Sequence, residues 1–145
     1  MRFTARKVQY ACAALFELAM EYPRGQPLQV HTMAARQQVP TNYLVQILIA
    51  LRRAELVVSV RGAQGGYRLA VPPHKITLAE VIHIIDGPLC PTPDTSAGTD
   101  SRLAVYWLTK LELAACATVE RQFEAITLAS IVERYGAQRD PMYYI

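Results

Sequence analysis

Apolar residues in the first third of the chain recur every three or four positions, a spacing that predicts amphipathic helices. One helix is expected over about residues 5–22, and a second, shorter one ends near Gln37. Residues 38–40 form the turn to a third helix over roughly 41–53. The inward face of this third helix consists of Leu44, Ile47, Leu48 and Leu51.

The period changes to two in residues 57–70, where apolar side chains alternate on both sides of a glycine-rich tip. The alternating residues are Val58, Val60, Tyr67 and Leu69. This pattern predicts a β-hairpin, and Arg61 and Gln64 give it a cationic, polar tip. A helix, a turn, a second helix and a basic hairpin, in that order, predict a winged helix-turn-helix. A basic tip of this size fits a DNA groove.

The longest helical pattern, about 101–125, is apolar over most of its circumference. Between residues 102 and 119 only Arg102, Lys110 and Glu112 are charged. Such a helix must be covered on two sides, and we expect the same helix of a second copy to supply one of them. The predicted dimer-interface residues are Leu103, Trp107, Leu108, Leu111, Ala115 and Val119.

Together these elements predict a mainly α fold with a small β-hairpin wing. The winged helix-turn-helix is expected in residues 1–86 and ends with a short helix over about 78–86. A loop in residues 87–100 leads to the long dimerisation helix and a C-terminal tail in 101–145.

The charges are segregated along the chain. Residues 1–75 contain ten Lys or Arg against three Asp or Glu, whereas residues 76–145 contain five against nine. A basic front half favours a polyanionic partner, here double-stranded DNA. No stretch is long and apolar enough for a membrane span, and the N-terminus predicts an amphipathic helix rather than a signal peptide. We therefore expect a cytoplasmic protein with no membrane partner.

The outward face of the third helix carries polar side chains in its opening turns, where a recognition helix meets base edges. Exposed polar residues at a helix start also serve as ordinary caps, and it is the basic hairpin that favours base reading. The predicted DNA-binding residues are Thr41, Asn42, Tyr43, Val45, Gln46 and Arg52 on the helix and Arg61, Gly62, Gln64 and Gly65 on the wing.

The wing reads Ser-Val-Arg-Gly-x-x-Gly-Gly-Tyr over residues 59–67, and the third helix carries Tyr43-Leu44 in its first turn. With a tryptophan early in the long helix and a closing Ile126-Thr127-Leu128, this order resembles the IscR/NsrR/CymR family of bacterial transcriptional regulators over nearly the whole chain. The resemblance implies a homodimer with an intertwined long helix, two winged domains and a roughly two-fold symmetric operator. The chain is then expected to act as a repressor.

The chain departs from that family in the loop before the long helix. Family members with an iron–sulfur cluster hold it with three cysteines there, whereas this loop has only Cys90, and its downstream counterparts include Thr95 and Ser101. We therefore expect no cofactor and no metal of the ordinary kind. Cys90 is a candidate redox or sensing thiol, or the remnant of an ancestral cluster site. Cys12 and Cys116 are expected to be small core residues.

Two further positions depart from the family pattern. Gln38 stands where the turn often has glycine, so it is expected to take a left-handed conformation at a cost of roughly 1 kcal/mol. Val45 stands where cluster-dependent relatives often have an acidic residue that tunes the choice of DNA site.

Nothing in the sequence resembles a catalytic set, so no catalytic residue is predicted and an enzyme is not expected. His31, His74 and His83 share no metal-ligand spacing and are assigned to the surface or to packing. Two alternatives stay open. One is a redox or iron–sulfur sensor that uses Cys90 with non-cysteine ligands, and the other is a winged-helix module for protein contacts. A small-molecule or protein effector would be of unknown identity.

Overall fold

The computed structural model describes residues 4–90 and 103–143, apart from the side chains of 139–143. Its elements are α1 (Arg6–Glu21), α2 (Val30–Gln37), α3 (Thr41–Arg53), β1 (Val57–Val60), β2 (Gly66–Leu69), α4 (Leu78–Asp86), α5 (Leu103–Ala125) and α6 (Leu128–Tyr143). The predicted mainly helical fold with a two-stranded wing is therefore confirmed. Most of the predicted 87–100 loop lies outside the described residues.

Helix α1 lies at the centre of the N-terminal domain and contacts α2, α3, α4 and α6. Its apolar face buries Leu15 and Leu18 against the inward face of α3, in which Leu44, Leu48 and Leu51 are no more than 1% exposed. Each fully buried side chain of this size contributes roughly 1.5–3 kcal/mol relative to an exposed one. The burial of this stripe fixes which face of α3 remains outside.

A buried carboxylate attaches α2 to α1. Glu17 is 0% exposed and accepts hydrogen bonds from Arg36 Nη1 at 3.2 Å and from Gln37 Nε2 at 2.6 Å. Arg36 also lies 3.8 Å from a carboxylate oxygen of Glu21. Since α2 buries only Met33 and Ala34 along its own length, these polar contacts are a large part of its attachment.

The turn between α2 and α3 depends on one strained residue. Gln38 has φ 54° and ψ 41°, in the left-handed region, as expected from the sequence. Its N–H bonds to the carbonyl of Ala34 and ends α2, so that Val39 can enter the core before α3 begins at Thr41. A left-handed glutamine costs roughly 1 kcal/mol.

The hairpin buries a different face of β1 from the one that the alternating pattern indicated. Strand β1 pairs antiparallel with β2, with Val57 opposite Leu69, and both side chains are buried. Val60 is instead 36% exposed, next to the tip, where little of the domain is left to cover it. The hairpin is also bonded to the segment before α2, because Leu28 and Tyr67 exchange both of their backbone hydrogen bonds.

Helix α6, which the sequence pattern did not delimit, turns back onto the N-terminal domain. Backbone bonds run from Leu78 N to Ile126 O and from Leu128 N to Ile76 O, and Leu128 is buried in the core of the N-terminal domain. The helix then packs along α1. At the start of α4, Thr77 Oγ1 accepts the N–H of Glu80 and so caps the helix.

We predict that Glu17→Ala lowers the free energy of unfolding by roughly 2–4 kcal/mol, because it leaves Arg36 and Gln37 without their buried acceptor. Urea denaturation at a fixed protein concentration measures this. Asp86→Asn is the matched control, since Asp86 forms an exposed pair with Lys7 and its loss should cost less than about 1 kcal/mol. Equal effects of the two substitutions would contradict the role assigned to Glu17.

Candidate nucleic-acid interface

The opening turns of α3 present polar side chains to solvent. Thr41, Asn42 and Gln46 are exposed, Tyr43 is 63% exposed, and Val45 is half-buried. The opposite face of the helix is packed in the core, so the exposed side chains cannot turn to another side without loss of that packing. The predicted contact residues in the opening turns of α3 therefore lie together on one rigid surface.

The chemistry of this surface suits base edges. Asn42 and Gln46 lie four residues apart and therefore on the same side of α3. Each amide can donate and accept at once, which is the pattern that adenine presents in the major groove. The half-buried Val45 leaves room for an apolar contact of the kind that a thymine methyl makes.

The wing tip exposes Arg61 and Gln64 on a turn that only glycine can form. Gly62 has φ 107°, and a Cβ on Gly65 would overlap the carbonyl oxygens of Val60 and Gly62. Gly65 is itself buried, so its part is to shape the tip. Gln29 Nε2 donates to the carbonyl of Ala63 at 3.3 Å, which joins the tip to the residue before α2. The outer face of α3 and the wing tip are thus attached to the same helix-turn-helix.

The surface of the N-terminal domain is more cationic than its sequence balance suggests. Glu17 and Glu21, two of the three acidic residues before position 76, lie against Arg36. Within residues 4–90 and 103–143, no carboxylate lies within ion-pair distance of the exposed arginines of α3 and the hairpin. These are Arg52, Arg53, Arg61 and Arg68. Arg53 and Arg68 were absent from the predicted contact set. The sequence did indicate their positions, at the end of the third helix and in the second strand of the hairpin.

Helix α5 has no fully buried residue in the single chain. Of the predicted interface residues, Leu103, Trp107, Leu108 and Leu111 are between 55% and 69% exposed, Ala115 is exposed, and Val119 is half-buried. Tyr106 adds to this surface, with its ring edge-on to Trp107 and Lys110 Nζ 4.9 Å from its centroid. The predicted interface residues therefore form an uncovered apolar surface.

One of the three cysteines has a different role from the one that the sequence predicted. Cys116 is not a passive core residue, because it forms a disulfide with Cys90, and the two Cα atoms are 5.6 Å apart. The sequence missed this pair because 26 positions separate the two residues. Cys12 is the free thiol among the described residues and packs against the core, as expected. Burial raises the pKa of Cys12 to about 11.

His83 lies on the surface, as assigned, yet it has a specific partner. Its Nε2 atom lies 2.8 Å from Glu120 Oε1 on α5, and the other carboxylate oxygen of Glu120 lies 3.5 Å from Cys90 Sγ. No helix in residues 4–90 and 103–143 is long and apolar enough to cross a membrane.

Comparisons with known proteins give one consistent result. The Rrf2 family model, described as "Iron-dependent Transcriptional regulator", matches residues 4–134. The HTH-type transcriptional regulator CymR of Bacillus subtilis is 36% identical over 85 residues, which are 59% of this chain and 61% of that protein. In four curated relatives the matched segment spans 60–68% of the relative's own length.

Two solved structures share the fold. The structure titled "T. potens IscR" has a TM-score of 0.72 and 31% identity, and it covers 90% of this chain and 86% of that one. The structure of CymR, titled the global cysteine regulator of B. subtilis, has a TM-score of 0.79 and 28% identity, with 92% and 98% covered.

The iron in the family description does not fit the donors of this chain. Even when Cys90 and Cys116 are reduced they are only two thiols, and Cys12 lies on α1 with a raised pKa that keeps it a neutral thiol, whereas a metal requires the thiolate. Within the described ranges, no three His, Cys, Asp or Glu side chains are placed to hold a metal ion. A cluster that needs three thiolates has no site among these residues.

We predict that protein purified without oxygen contains no stoichiometric iron or sulfide and shows no charge-transfer absorption in the visible. Metal and sulfide analysis on the anaerobic sample measures this directly. Near-stoichiometric iron would overturn the prediction, and its loss in Cys90→Ala would then assign a site with non-cysteine ligands around that residue.

Proposed function

This chain belongs to the Rrf2 family of transcriptional regulators, and we propose that it is a sequence-specific DNA-binding repressor that acts as a homodimer in the cytoplasm. It occupies a two-fold symmetric operator and needs no conventional iron–sulfur cluster to do so. The observation that carries this proposal is the polar outer face of α3 beside a cationic wing, on a domain in which Glu17 and Glu21 lie against Arg36. The family is one of regulators rather than enzymes.

In this proposal α3 enters the major groove and its first turns read base edges. Asn42 and Gln46 supply paired hydrogen bonds, Thr41 bonds to either donors or acceptors, and Val45 contacts a methyl group. Tyr43 and Arg52 lie at the edges of this face and bond to the sugar–phosphate backbone, which sets the register of the helix on the duplex.

The wing contacts the duplex beside the recognition helix. Arg61 reaches phosphates or a narrow minor groove, where the negative potential is enhanced, and Gln64 bonds to the backbone beside it. Gly62 allows the tip to come close to the sugar–phosphate chain, because it has no side chain to hold the tip away, and Gly65 shapes the tip that does so. Repression then requires nothing beyond occupancy of a promoter.

The homodimer rests on the uncovered surface of α5. Much of α5 is apolar and exposed, and a patch of that kind marks an interface. A second α5 related by a two-fold axis covers it and places two α3 helices toward half-sites roughly 34 Å apart.

We predict that Arg61→Ala weakens DNA binding by about 1–3 kcal/mol, because one contact to the duplex is lost. The slope of log affinity against log salt concentration should become shallower by about one unit. The duplex is selected from a random pool with the wild-type protein and titrated at several salt concentrations. Arg134→Ala is the control, since Arg134 is an exposed arginine of α6 in the acidic half of the chain. A selection that yields no preferred sequence would favour the protein-contact module instead.

We predict that Leu111→Glu gives monomers or aggregates, because an unpaired carboxylate in the covered face costs several kcal/mol. Light scattering measures the mass, and Leu111→Met is the matched control because it keeps an apolar side chain of similar volume. A stable dimer of the glutamate variant would remove α5 from the proposed interface.

A further inference from the structure

Three contacts attach the end of the DNA-reading domain to the middle of α5. The disulfide joins Cys90, four residues after α4 ends, to Cys116. Glu120, one turn further along α5, contacts His83 at 2.8 Å and lies 3.5 Å from Cys90 Sγ. The disulfide is the only covalent one of the three, and it is the one that a change of redox state can open.

Helix α4 is placed so that a change in its attachment to α5 would also affect the position of α3. Helix α4 packs against α1 and α3 on the DNA-reading side and against α5 on the other. A tether between the end of α4 and α5 therefore fixes the angle between the recognition helix and the helix proposed to form the dimer.

We propose that Cys90 and Cys116 are a thiol–disulfide switch that fixes the winged domain on α5 when oxidised and loosens that attachment when reduced. The dependence of DNA affinity on this switch and the reducing compartment rest on the proposed function, whereas the oxidation of the pair and the change in attachment do not. A disulfide in a reducing compartment is rare, and those that occur are mostly transient or redox-sensing.

The oxidant is a hydroperoxide, and the step is balanced. The Cys90 thiolate attacks one peroxide oxygen, the O–O bond breaks, and the other oxygen leaves as water, which yields a sulfenic acid. The Cys116 thiolate then attacks that sulfur and displaces the remaining oxygen as a second water. Two thiols and one hydrogen peroxide thus give one disulfide and two waters. The two thiol protons leave with the two waters. Reduction follows by exchange with a small dithiol, which is itself oxidised.

Closure of the disulfide should tighten DNA binding. A dimer reads two half-sites only when both α3 helices stand at the correct spacing, and a covalent tether removes the freedom that binding would otherwise have to restrict. We expect the oxidised dimer to bind about 5- to 50-fold more tightly than the reduced dimer, which is within the usual range of coupling between sites.

The first test needs no DNA. Full-length protein is treated with hydrogen peroxide or with dithiothreitol, and peptide mass spectrometry locates the disulfide while amide hydrogen exchange follows residues 83–90 and 112–120. Oxidised protein should carry the 90–116 bond and exchange more slowly in both segments. Cys90→Ser and Cys116→Ser should each match the reduced protein in either condition. Cys12→Ser should keep the response, because Cys12 is on α1 and outside the pair.

The second test measures affinity for the duplex selected with the wild-type protein. Tighter binding after oxidation that both serine variants abolish supports the switch, and equal or weaker binding of the oxidised form overturns it. Failure of every form to bind any selected duplex refutes the proposed function, while the exchange data still decide the change in attachment. Both cysteines remaining thiols after peroxide, or stoichiometric iron that Cys116→Ser removes, would overturn the switch.

Discussion

The buried carboxylate of Glu17 makes the interactions on which the position of the outer face of α3 depends most. Helix α2 is eight residues long and buries only two side chains, so it has little apolar surface to hold it in place. Glu17 fixes it through Arg36 and Gln37 in its last turn. The direction in which α2 ends sets the left-handed turn at Gln38, and that turn sets where α3 begins. The polar contacts of Glu17 thus determine the orientation of the side chains on the outer face of α3.

The same arrangement explains how the domain can be both stable and strongly cationic. Like charges destabilise a compact state by repulsion, so the few carboxylates of the basic half contribute most when they lie beside the arginines inside the domain. Glu17 and Glu21 do so around Arg36, which leaves the arginines of α3 and the hairpin unneutralised within the described residues. Sequence balance alone overestimates how much negative charge that surface presents.

The sequence predicted what depends on local pattern and missed what depends on distant contacts. Helices α3 and α4 begin and end where their apolar period and end residues indicated, and the family resemblance led correctly to the Rrf2 regulators. The buried role of Glu17 had a readable signal, since it falls on the inward face of α1, three residues after Ala14. The Cys90–Cys116 pair and the return of α6 had none, because nothing in the spacing of either segment specifies a partner far along the chain.

These long-range contacts matter because they decide whether DNA binding by the winged domain is independent of the state of α5. A winged domain attached to α5 only through a flexible loop would bind DNA without regard to the state of the long helix. Here α4 contacts both, and His83, Glu120 and the disulfide reinforce that attachment. If the disulfide raises DNA affinity by some factor, then bound DNA must favour the disulfide over the dithiol by the same factor, since coupling between equilibria is reciprocal. A regulator of this design would resist reduction while it occupies its operator, so that a brief return to reducing conditions would not by itself release it.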